Sequence, residues 1–398
     1  MIRVVVSGLG VVSPYGAGAK TFWAGLTTGE CAIRPVTVIA TEGFRSRIAA
    51  EVPADVVASL GVSRRRSRAD RIALTAAREA LAEADLAPGD RADMGLFIGA
   101  VGGGMLEGEE WYCEQAAGRG PSPRIGALRS ILPVSHAETL AWRLRLGGPR
   151  ETVVMACASG AASIALGADL IRSGATPLVL AGGVDAITRI CFMGFNALKL
   201  LDPEPCRPFD RGRRGMSIGE AAAFVVLEDA EHCRARGARV LGELLGAGMT
   251  TDAHHVTAPH PEGEGMVRAM ADALAAAGRA PADIGYVNAH GTGTLLNDKT
   301  ETLALRKVFG AHAERLAISS SKGVLGHSLG AAGALEAAAT ALTLHTQTIP
   351  PTANFEEVDP DCDLDFVPNV GRQASVRAAI SNSFAFGGLN AVLAFGRA

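Results

Sequence analysis

The sequence predicts a mixed α/β fold with a mostly parallel, helix-covered sheet, and three observations support this. Ten short runs rich in Val, Ile and Leu alternate with longer helix-like segments along the 398 residues. The strand-like runs are apolar throughout, as expected for strands that are buried on both faces. Hydrophobic residues make up 48% of the chain and charged residues 20%, which allows an ample core.

The predicted elements follow one another in a regular order. Strands are expected near residues 2–7, 94–100, 151–156, 177–183, 221–228, 239–246, 284–289, 315–320, 377–383 and 390–395. Helices are expected at residues 68–86, 158–173, 263–278, 299–309 and 330–345. The helix at 158–173 is nearly all small and apolar, which is typical of a helix buried on every side. We place a domain boundary near residue 240, giving units 1–240 and 241–398, although no internal repeat is evident.

Charge and cysteine content exclude several classes of protein. A net charge of −3 argues against general nucleic-acid binding. Seven scattered cysteines without a Cys-x-x-Cys pair predict neither a disulfide framework nor a zinc site, and indicate a reducing, cytoplasmic setting. His254, His255 and His260 lie close together but lack cysteine neighbours, so we expect no metal site. No apolar run has membrane-spanning length, and the N-terminus lacks the features of a signal peptide.

The Gly-Leu-Gly sequence at residues 8–10 follows the first strand, as in a dinucleotide-binding fingerprint. That fingerprint needs a third Gly or Ala where Ser13 stands, and then a helix. Here Pro14 and a glycine follow, so a turn is predicted rather than a nicotinamide site.

Cys157 lies where the strand-like run 152–156 ends and the helix-like run 158–173 begins. Backbone N–H groups at a helix N-terminus favour a thiolate, and they are also suited to stabilising an oxyanion. A lone buried cysteine is more often an inert small hydrophobe. The prediction of a nucleophile therefore depends on partners elsewhere in the chain.

Two histidines in similar surroundings are the candidate partners. His290 follows a strand-like run in a loop rich in Gly and Thr, and His327 lies in a second loop that also contains Lys322. A buried ammonium group needs an anionic partner. Glu336, on the helix that follows His327, is the natural candidate for Lys322. The alternative is two structural histidines, with the lysine and the glutamate in solvent.

Several motifs in the same order resemble the β-ketoacyl-acyl-carrier-protein synthases, the condensing enzymes of fatty-acid and type II polyketide assembly. The resemblance covers essentially the whole chain and implies a thiolase-like fold, in which two similar five-stranded halves form α-β-α-β-α layers. The Cys-His-His set is similar to that of the elongating branch, whereas the initiating branch has Cys-His-Asn. The motifs lie at residues 5–14, 157–167, 206–210, 216–220, 287–294, 319–327 and 381–390.

The resemblance implies a role for each member of the constellation. Cys157 would accept the acyl group, and the reaction would then divide into acyl transfer and carbon–carbon bond formation. His290 and His327 would be neutral donors to the malonyl thioester carbonyl, where negative charge develops. Lys322 and Glu336 would orient these histidines.

The closing loop resembles the gate of the family. There Phe386 would close the acyl pocket, and its backbone N–H would join that of the nucleophile in the oxyanion hole, with Phe384 and Gly387 beside it. Two residues depart from the family pattern, because Ala385 stands where Gly is common and Leu389 where Thr is usual. A Cβ atom at position 385 narrows the allowed backbone angles, so we expect a stiffer gate.

The resemblance also implies how substrates arrive. Thr292 and Thr294 match the pair that hydrogen-bonds pantetheine, and the substrates would be carried on the phosphopantetheine of acyl carrier protein, with no other cofactor. A cluster of arginines in a net acidic chain suits an acidic partner. The residues expected to dock the carrier are Arg64, Arg65, Arg66 and Arg68, extended by Arg124 and Arg207.

Two other functions remain open from the sequence. The first is a thioesterase or another acyltransferase that uses Cys157 but passes the acyl group to a different acceptor. The second is a non-catalytic partner subunit of the chain-length-factor type, which typically lacks the nucleophile that is present here. We expect a homodimer, with a heterodimer containing such a subunit as the alternative.

Overall fold

The ten strands that the sequence predicts all belong to one large sheet. The structure is a computed structural model that describes residues 2–61, 66–119 and 125–398, with the side chains of 125–127 left out. Its strands are β1 Val4–Ser13, β2 Gly16–Ala17, β3 Arg34–Pro35, β4 Ile48–Ala50, β5 Gly95–Gly99, β6 Arg150–Val153, β7 Leu178–Asp185, β8 Ile218–Gly219, β9 Ala221–Asp229, β10 Gly242–Thr251, β11 Tyr286–Asn288, β12 Ala317–Ser319, β13 Thr348–Ile349, β14 Arg372–Gln373, β15 Ala378–Ala385 and β16 Leu389–Gly396. Its helices are α1 Ala19–Thr28, α2 Ala54–Ser59, α3 Arg68–Glu83, α4 Met105–Ala116, α5 Val134–Leu144, α6 Ser159–Arg172, α7 Arg189–Ala197, α8 Ala230–Ala235, α9 Glu264–Ala276, α10 Leu295–Phe309, α11 Lys322–Leu325 and α12 Ala332–Thr346.

The sheet consists of two halves with the same strand order. In the first half the order is β6-β5-β7-β9-β1, and in the second it is β12-β11-β15-β16-β10. Counted within each half, both read 3-2-4-5-1. The strand directions also match, because the third, second and fourth strands are parallel whereas the fifth is antiparallel to both of its neighbours. The duplication that the sequence does not reveal is therefore evident in the topology.

The two halves meet where β1 pairs with β10, between Val4–Val6 and Gly242–Leu244. Helices α6 and α12 pack against each other and against strands of both halves. Helices α3 and α5 cover the outer face of the first half, while α9 and α10 cover that of the second. This gives the expected five α-β-α-β-α layers, and we propose that the domain boundary lies near residue 240, just before β10.

Gly8 and Gly10, which resemble part of a dinucleotide fingerprint, allow a helix to pack closely against strand β1. A Cβ atom on Gly10 would lie 1.9 Å from the carbonyl oxygen of Ala76, in α3. The glycine lets the helix backbone approach strand β1 closely, and no helix follows the strand directly, since β1 turns at Pro14 into β2.

Helices α1, α4, α5 and α7 are not among the predicted elements. Each has nine to twelve residues and only a minority of fully buried side chains, apart from α5. Each spans only about three turns, so the period of 3.6 on which helix prediction depends is repeated too few times to stand out. Within residues 2–61, 66–119 and 125–398, every helix is too short or too polar to cross a bilayer.

Candidate active site

The backbone turns sharply just before Cys157. Strand β6 ends at Val153 and helix α6 begins at Ser159, and between them Ala156 has φ +45°, a left-handed conformation that costs a non-glycine residue energy. The hydroxyl of Ser159 fixes this turn, because it accepts from the N–H of Met155 at 2.8 Å and donates to the carbonyl of Ala156 at 2.6 Å. The predicted strand-to-helix position of the cysteine is thus present.

The electrostatic surroundings of Cys157 differ from the sequence expectation. Burial raises the pKa of the thiol to about 12, and the nearby carboxylates of Asp185 and Glu336 act in the same direction. The charge of Lys322 and a hydrogen bond from the backbone N–H of Phe386 lower the pKa, but by less. Desolvation by burial therefore acts against the thiolate that a helix N-terminus favours. The resting group is a thiol.

His290 is buried at the end of β11, and its backbone is held from α10. The carboxylate of Glu301 accepts the N–H groups of His290 and Gly291, each at 2.9 Å. The side-chain Nδ1 faces the Nζ of Lys322 at 3.3 Å. Since an ammonium group can only donate, Nδ1 is the acceptor and the ring proton lies on Nε2.

His327 has the same tautomer for a different reason. Its Nδ1 accepts the N–H of Leu329 at 3.2 Å, so its proton also lies on Nε2. That Nε2 is buried and has no hydrogen-bond partner among the described residues. The rings of His290 and His327 lie 5.3 Å apart at 82°. Burial, together with the charge of Lys322, holds the pKa of both imidazoles well below the usual value, so both are neutral.

Lys322 connects the two catalytic loops to helix α12. Its ammonium group forms a buried ion pair with Glu336 and donates to the carbonyl oxygen of His290 at 2.6 Å. Burial raises the pKa of Glu336 to about 7, although Lys322 acts against this. The pairing expected from the sequence is present.

The closing loop forms a short turn over the nucleophile. The ring of Phe386 packs against that of Phe195, with centroids 5.8 Å apart. Ala385 has φ −115° and ψ 161°, an extended conformation open to any residue, so its Cβ atom causes no strain in this state. The turn is held by segment 252–260, since the N–H of Gly387 donates to Val256 and the carbonyl of Gly388 accepts from the N–H of Asp252.

A cavity of about 280 Å³ brings the predicted residues together. Cys157, His290 and His327 lie along it, with Phe384 and Phe386 beside them. The hydroxyls of Thr292 and Thr294, 2.9 Å apart, lie along the same wall. One cavity therefore holds two hydroxyls, the thiol and both imidazoles.

Sequence reasoning missed three buried carboxylates that hold the backbone around the site. Asp298 accepts the N–H groups of Phe209, Thr292 and Gly293, and Glu301 holds the His290 loop. Asp298 and Glu301 are three residues apart on α10, a spacing that places them on one helix face and that was visible in the sequence. The third, Asp185 at the end of β7, left no such signal.

The docking arginines are only partly described. Arg64, Arg65 and Arg124 lie outside the described residues, and Arg66 is half-buried. Arg68 contradicts the expectation, because its side chain is only 10% exposed and its guanidinium is paired with the fully buried Glu220. A charge neutralised inside the protein cannot attract a partner.

Arg207 is also largely neutralised. Its guanidinium forms ion pairs with Glu204 at 3.0 Å and Glu356 at 2.6 Å, and its side chain is 23% exposed. It lies near the surface, but it contributes less positive charge than the sequence suggests.

Comparison with known proteins gives consistent results along the whole chain. A family model for the β-ketoacyl synthase N-terminal domain matches residues 1–232, and one for the C-terminal domain matches residues 241–356. Nodulation protein E of Rhizobium meliloti is 40% identical, over 99% of this chain and 98% of its own. The 3-oxoacyl-[acyl-carrier-protein] synthase 2 of Synechocystis is 38% identical, over 99% of this chain and 97% of its own. The solved ishigamide ketosynthase/chain length factor superimposes with a TM-score of 0.94 at 39% identity, covering 100% of this chain and 99% of that one.

Proposed function

The chain belongs to the β-ketoacyl synthase family of condensing acyltransferases, and we propose that Cys157, His290 and His327 carry out its two half-reactions. In the first, the Cys157 thiol attacks the thioester of an acyl carrier protein. The N–H groups of Phe386 and Cys157 stabilise the oxyanion, the thiol proton passes to the departing carrier thiol, and an acyl-enzyme forms.

In the second half-reaction, malonyl carrier protein enters the emptied pantetheine channel past Thr292 and Thr294. The Nε2–H groups of His290 and His327 donate to its thioester carbonyl oxygen. Carbon dioxide leaves, and the resulting enolate is stabilised by the two donors. The enolate carbon attacks the acyl-enzyme carbonyl, the bond to Cys157 breaks, the released thiolate takes up a proton from water, and a β-ketoacyl carrier protein leaves.

The observation that carries this proposal is the unpaired Nε2–H of His327. A buried donor without a partner is costly, and it is retained at sites where a ligand supplies the acceptor. Its ring is held through Nδ1, lies beside a second neutral imidazole, and shares one cavity with Cys157.

The experiment is intact-mass analysis after incubation with acyl carrier protein, followed by peptide mapping. We expect the acyl adduct on Cys157, and loss of the adduct in Cys157→Ala but not in the matched variant Cys191→Ala. An adduct on another cysteine would contradict the assignment. Release of free fatty acid without condensation would instead identify a thioesterase.

We further propose that the partner is acyl carrier protein in the cytoplasm. The relatives named above include a 3-oxoacyl-[acyl-carrier-protein] synthase, and all seven cysteines are free thiols, as suits a reducing compartment. Of the arginine cluster, Arg64, Arg65, Arg66 and Arg124 remain the proposed docking residues, with a smaller part for Arg207.

We also propose that the chain forms a homodimer through the end of its sheet. Strand β6 is terminal in the sheet and has no strand partner on its outer edge among the described residues. Val154, which follows it, is 62% exposed. An open strand edge beside an exposed apolar side chain is a favourable place for a second chain to pair.

A further inference from the structure

Asp185 links the two halves of the molecule at a point close to the catalytic groups. It is fully buried at the end of β7. One of its oxygens accepts the N–H of Gly103 at 2.6 Å, and the other accepts the N–H of Gly330 at 2.6 Å, with the N–H of Val101 near both. A carboxylate from the first half thereby anchors a segment of the second half.

That segment determines the tautomer of His327. Leu329, next to Gly330, has φ +48°, a left-handed conformation that a branched residue adopts only when its surroundings enforce it. In this conformation its N–H points at Nδ1 of His327, at 3.2 Å. The hydrogen bond from the N–H of Gly330 to Asp185 holds the backbone directly after the strained Leu329.

We propose that Asp185 is a positioning residue for the condensation: it anchors the Leu329–Gly330 backbone so that His327 keeps its proton on Nε2, facing the cavity. The inference rests on the proposed function for the decarboxylation step only. Without the anchor, Leu329 would relax towards ordinary backbone angles and its N–H would leave Nδ1. The imidazole would then be free to rotate or to change tautomer.

Asp185 also acts on the nucleophile through its charge. The groups that influence the Cys157 thiol are Lys322, which lowers its pKa, and Asp185 and Glu336, which raise it. Burial raises the pKa of Asp185 itself to about 6, while its backbone N–H donors and His136 of α5 act in the opposite direction. Removing the carboxylate charge should therefore make the thiol more reactive, while loss of the anchor makes His327 less effective. A general loss of structure would also expose the buried thiol and speed its alkylation, so the two effects are assigned to Asp185 only if the melting temperature is unchanged.

The test is Asp185→Asn, compared with the exposed-charge control Asp169→Asn. The asparagine amide has one acceptor oxygen, and its NH₂ group can only donate. That NH₂ group would face the N–H of either Gly103 or Gly330, so one of these two hydrogen bonds is lost. We expect malonyl carrier decarboxylation to fall about tenfold or more, as when a catalytic group is displaced by a fraction of an ångström. We expect iodoacetamide alkylation of Cys157 at pH 8.5 to become severalfold faster. Asp169→Asn should change neither rate.

Two results would overturn the proposal. One is unchanged decarboxylation in Asp185→Asn. The other is faster alkylation together with a lower melting temperature, which would indicate general damage to the fold rather than the removal of one charge. If the wild-type protein itself fails to decarboxylate malonyl carrier, the proposed function fails, but the alkylation result still tests the charge of Asp185.

A second measurement needs no variant of Asp185. Nitrogen chemical shifts of ¹⁵N-histidine-labelled wild-type protein, assigned with His327→Ala, report which ring nitrogen carries the proton. We expect a neutral His327 with its proton on Nε2. A proton on Nδ1 would overturn the proposal even if Asp185→Asn does not fold.

Discussion

At the scale of single residues, the site combines an uncharged nucleophile with two uncharged donors. Burial keeps the Cys157 thiol protonated and both imidazoles neutral. Neutral histidines with the proton on Nε2 suit a reaction in which negative charge appears on a carbonyl oxygen, because each presents one N–H donor to that oxygen. The cysteine depends instead on its oxyanion donors, and its proton must leave during acyl transfer.

The first prediction concerns this thiol. Its folded pKa is near 12, above the unfolded value of about 8.5, so the folded state holds the proton more tightly. The stability that this gives is present below about pH 8.5 and is lost as the pH rises towards 12. Alkylation of Cys157, followed by peptide mapping, should be slow at pH 7 and should increase steadily to pH 10. The exposed Cys113 serves as the internal control, and a rate that is already maximal at pH 7 would contradict the prediction.

The second prediction separates the two half-reactions. His327→Ala removes the unpaired Nε2–H and should lower malonyl decarboxylation about 100-fold, the scale of a lost oxyanion donor. Self-acylation of Cys157 should change far less, since no enolate forms in that step. His327→Gln, whose amide N–H reaches the position of Nε2, should recover part of the decarboxylation. Equal losses in both half-reactions would show that the histidine is structural.

At the scale of elements, short loops attached to regular strands and helices hold the catalytic groups. The gate turn follows β15 and is bound to segment 252–260 by two backbone hydrogen bonds. Asn390, in β16, donates to Asp252 at 2.8 Å and extends this attachment. Movement of the gate therefore requires that these contacts break together.

The third prediction uses two adjacent glycines in the gate as a matched pair. Gly387 has φ +80° and Gly388 has φ +68°, so alanine is strained at either position by about 1 kcal/mol. A Cβ atom on Gly387 meets its nearest atom at 3.7 Å, whereas one on Gly388 would lie 2.5 Å from Cβ of Asp252. Gly388→Ala should therefore lose about 1–3 kcal/mol more stability than Gly387→Ala, measured by urea denaturation. Equal losses would mean that segment 252–260 moves aside freely.

The fourth prediction concerns two arginines that precede α3 in the sequence. Reversing Arg64 and Arg65 to Glu should raise the KM for carrier-linked substrate severalfold at low salt, and less at high salt, because screening removes long-range attraction. A small pantetheine-mimic thioester should be unaffected. The control pair Arg279→Glu and Arg377→Glu makes the same change in net charge elsewhere on the surface. Equal effects on both substrates would contradict a docking role.

Arg68 should behave differently from its neighbours. Arg68→Ala leaves the carboxylate of Glu220 buried without its cationic partner, which costs about 3–5 kcal/mol. The loss should appear as a lower melting temperature, with no selective effect on the carrier substrate.

At the scale of the whole molecule, the fold places the nucleophile and the histidines in different halves and joins them across the central helices. Cys157 lies just before α6. Glu336 lies on α12, and α12 packs against α6. The site therefore exists only when both halves have folded and the helices between the sheets have packed. The chain should lose activity and tertiary structure in one transition.

The fifth prediction tests assembly. Val154→Lys places a charge beside the open edge of β6, where a second chain would have to bury it, and should raise the dimer dissociation constant at least about tenfold. Val370→Lys changes a side chain of similar exposure, 76%, and should have no effect. Analytical ultracentrifugation measures both. A monomeric wild-type protein at micromolar concentration would refute the homodimer.

The sequence by itself determined the elements that have a strong local signal, and it singled out the groups that we propose as catalytic. The ten strands are recognisable because buried strands are continuously apolar, and α6 because it is nearly all small and apolar. Cys157, His290, His327 and Lys322 stand out because each lies in a loop of small residues between such elements.

Only the tertiary structure decided what depends on contacts between distant residues. From the sequence, Arg68 is expected to be a surface charge. The structure shows that it pairs with Glu220, which lies 152 positions away in the chain. The position of Cys157 before a helix favours a thiolate, whereas its burial favours the thiol. Burial is not visible in the sequence, because desolvation depends on atoms from every layer. Asp185 carries no local signal, since its three N–H donors come from two remote loops. A residue's neighbours in sequence specify its backbone, but its charge state and its hydrogen-bond partners are set by the fold around it.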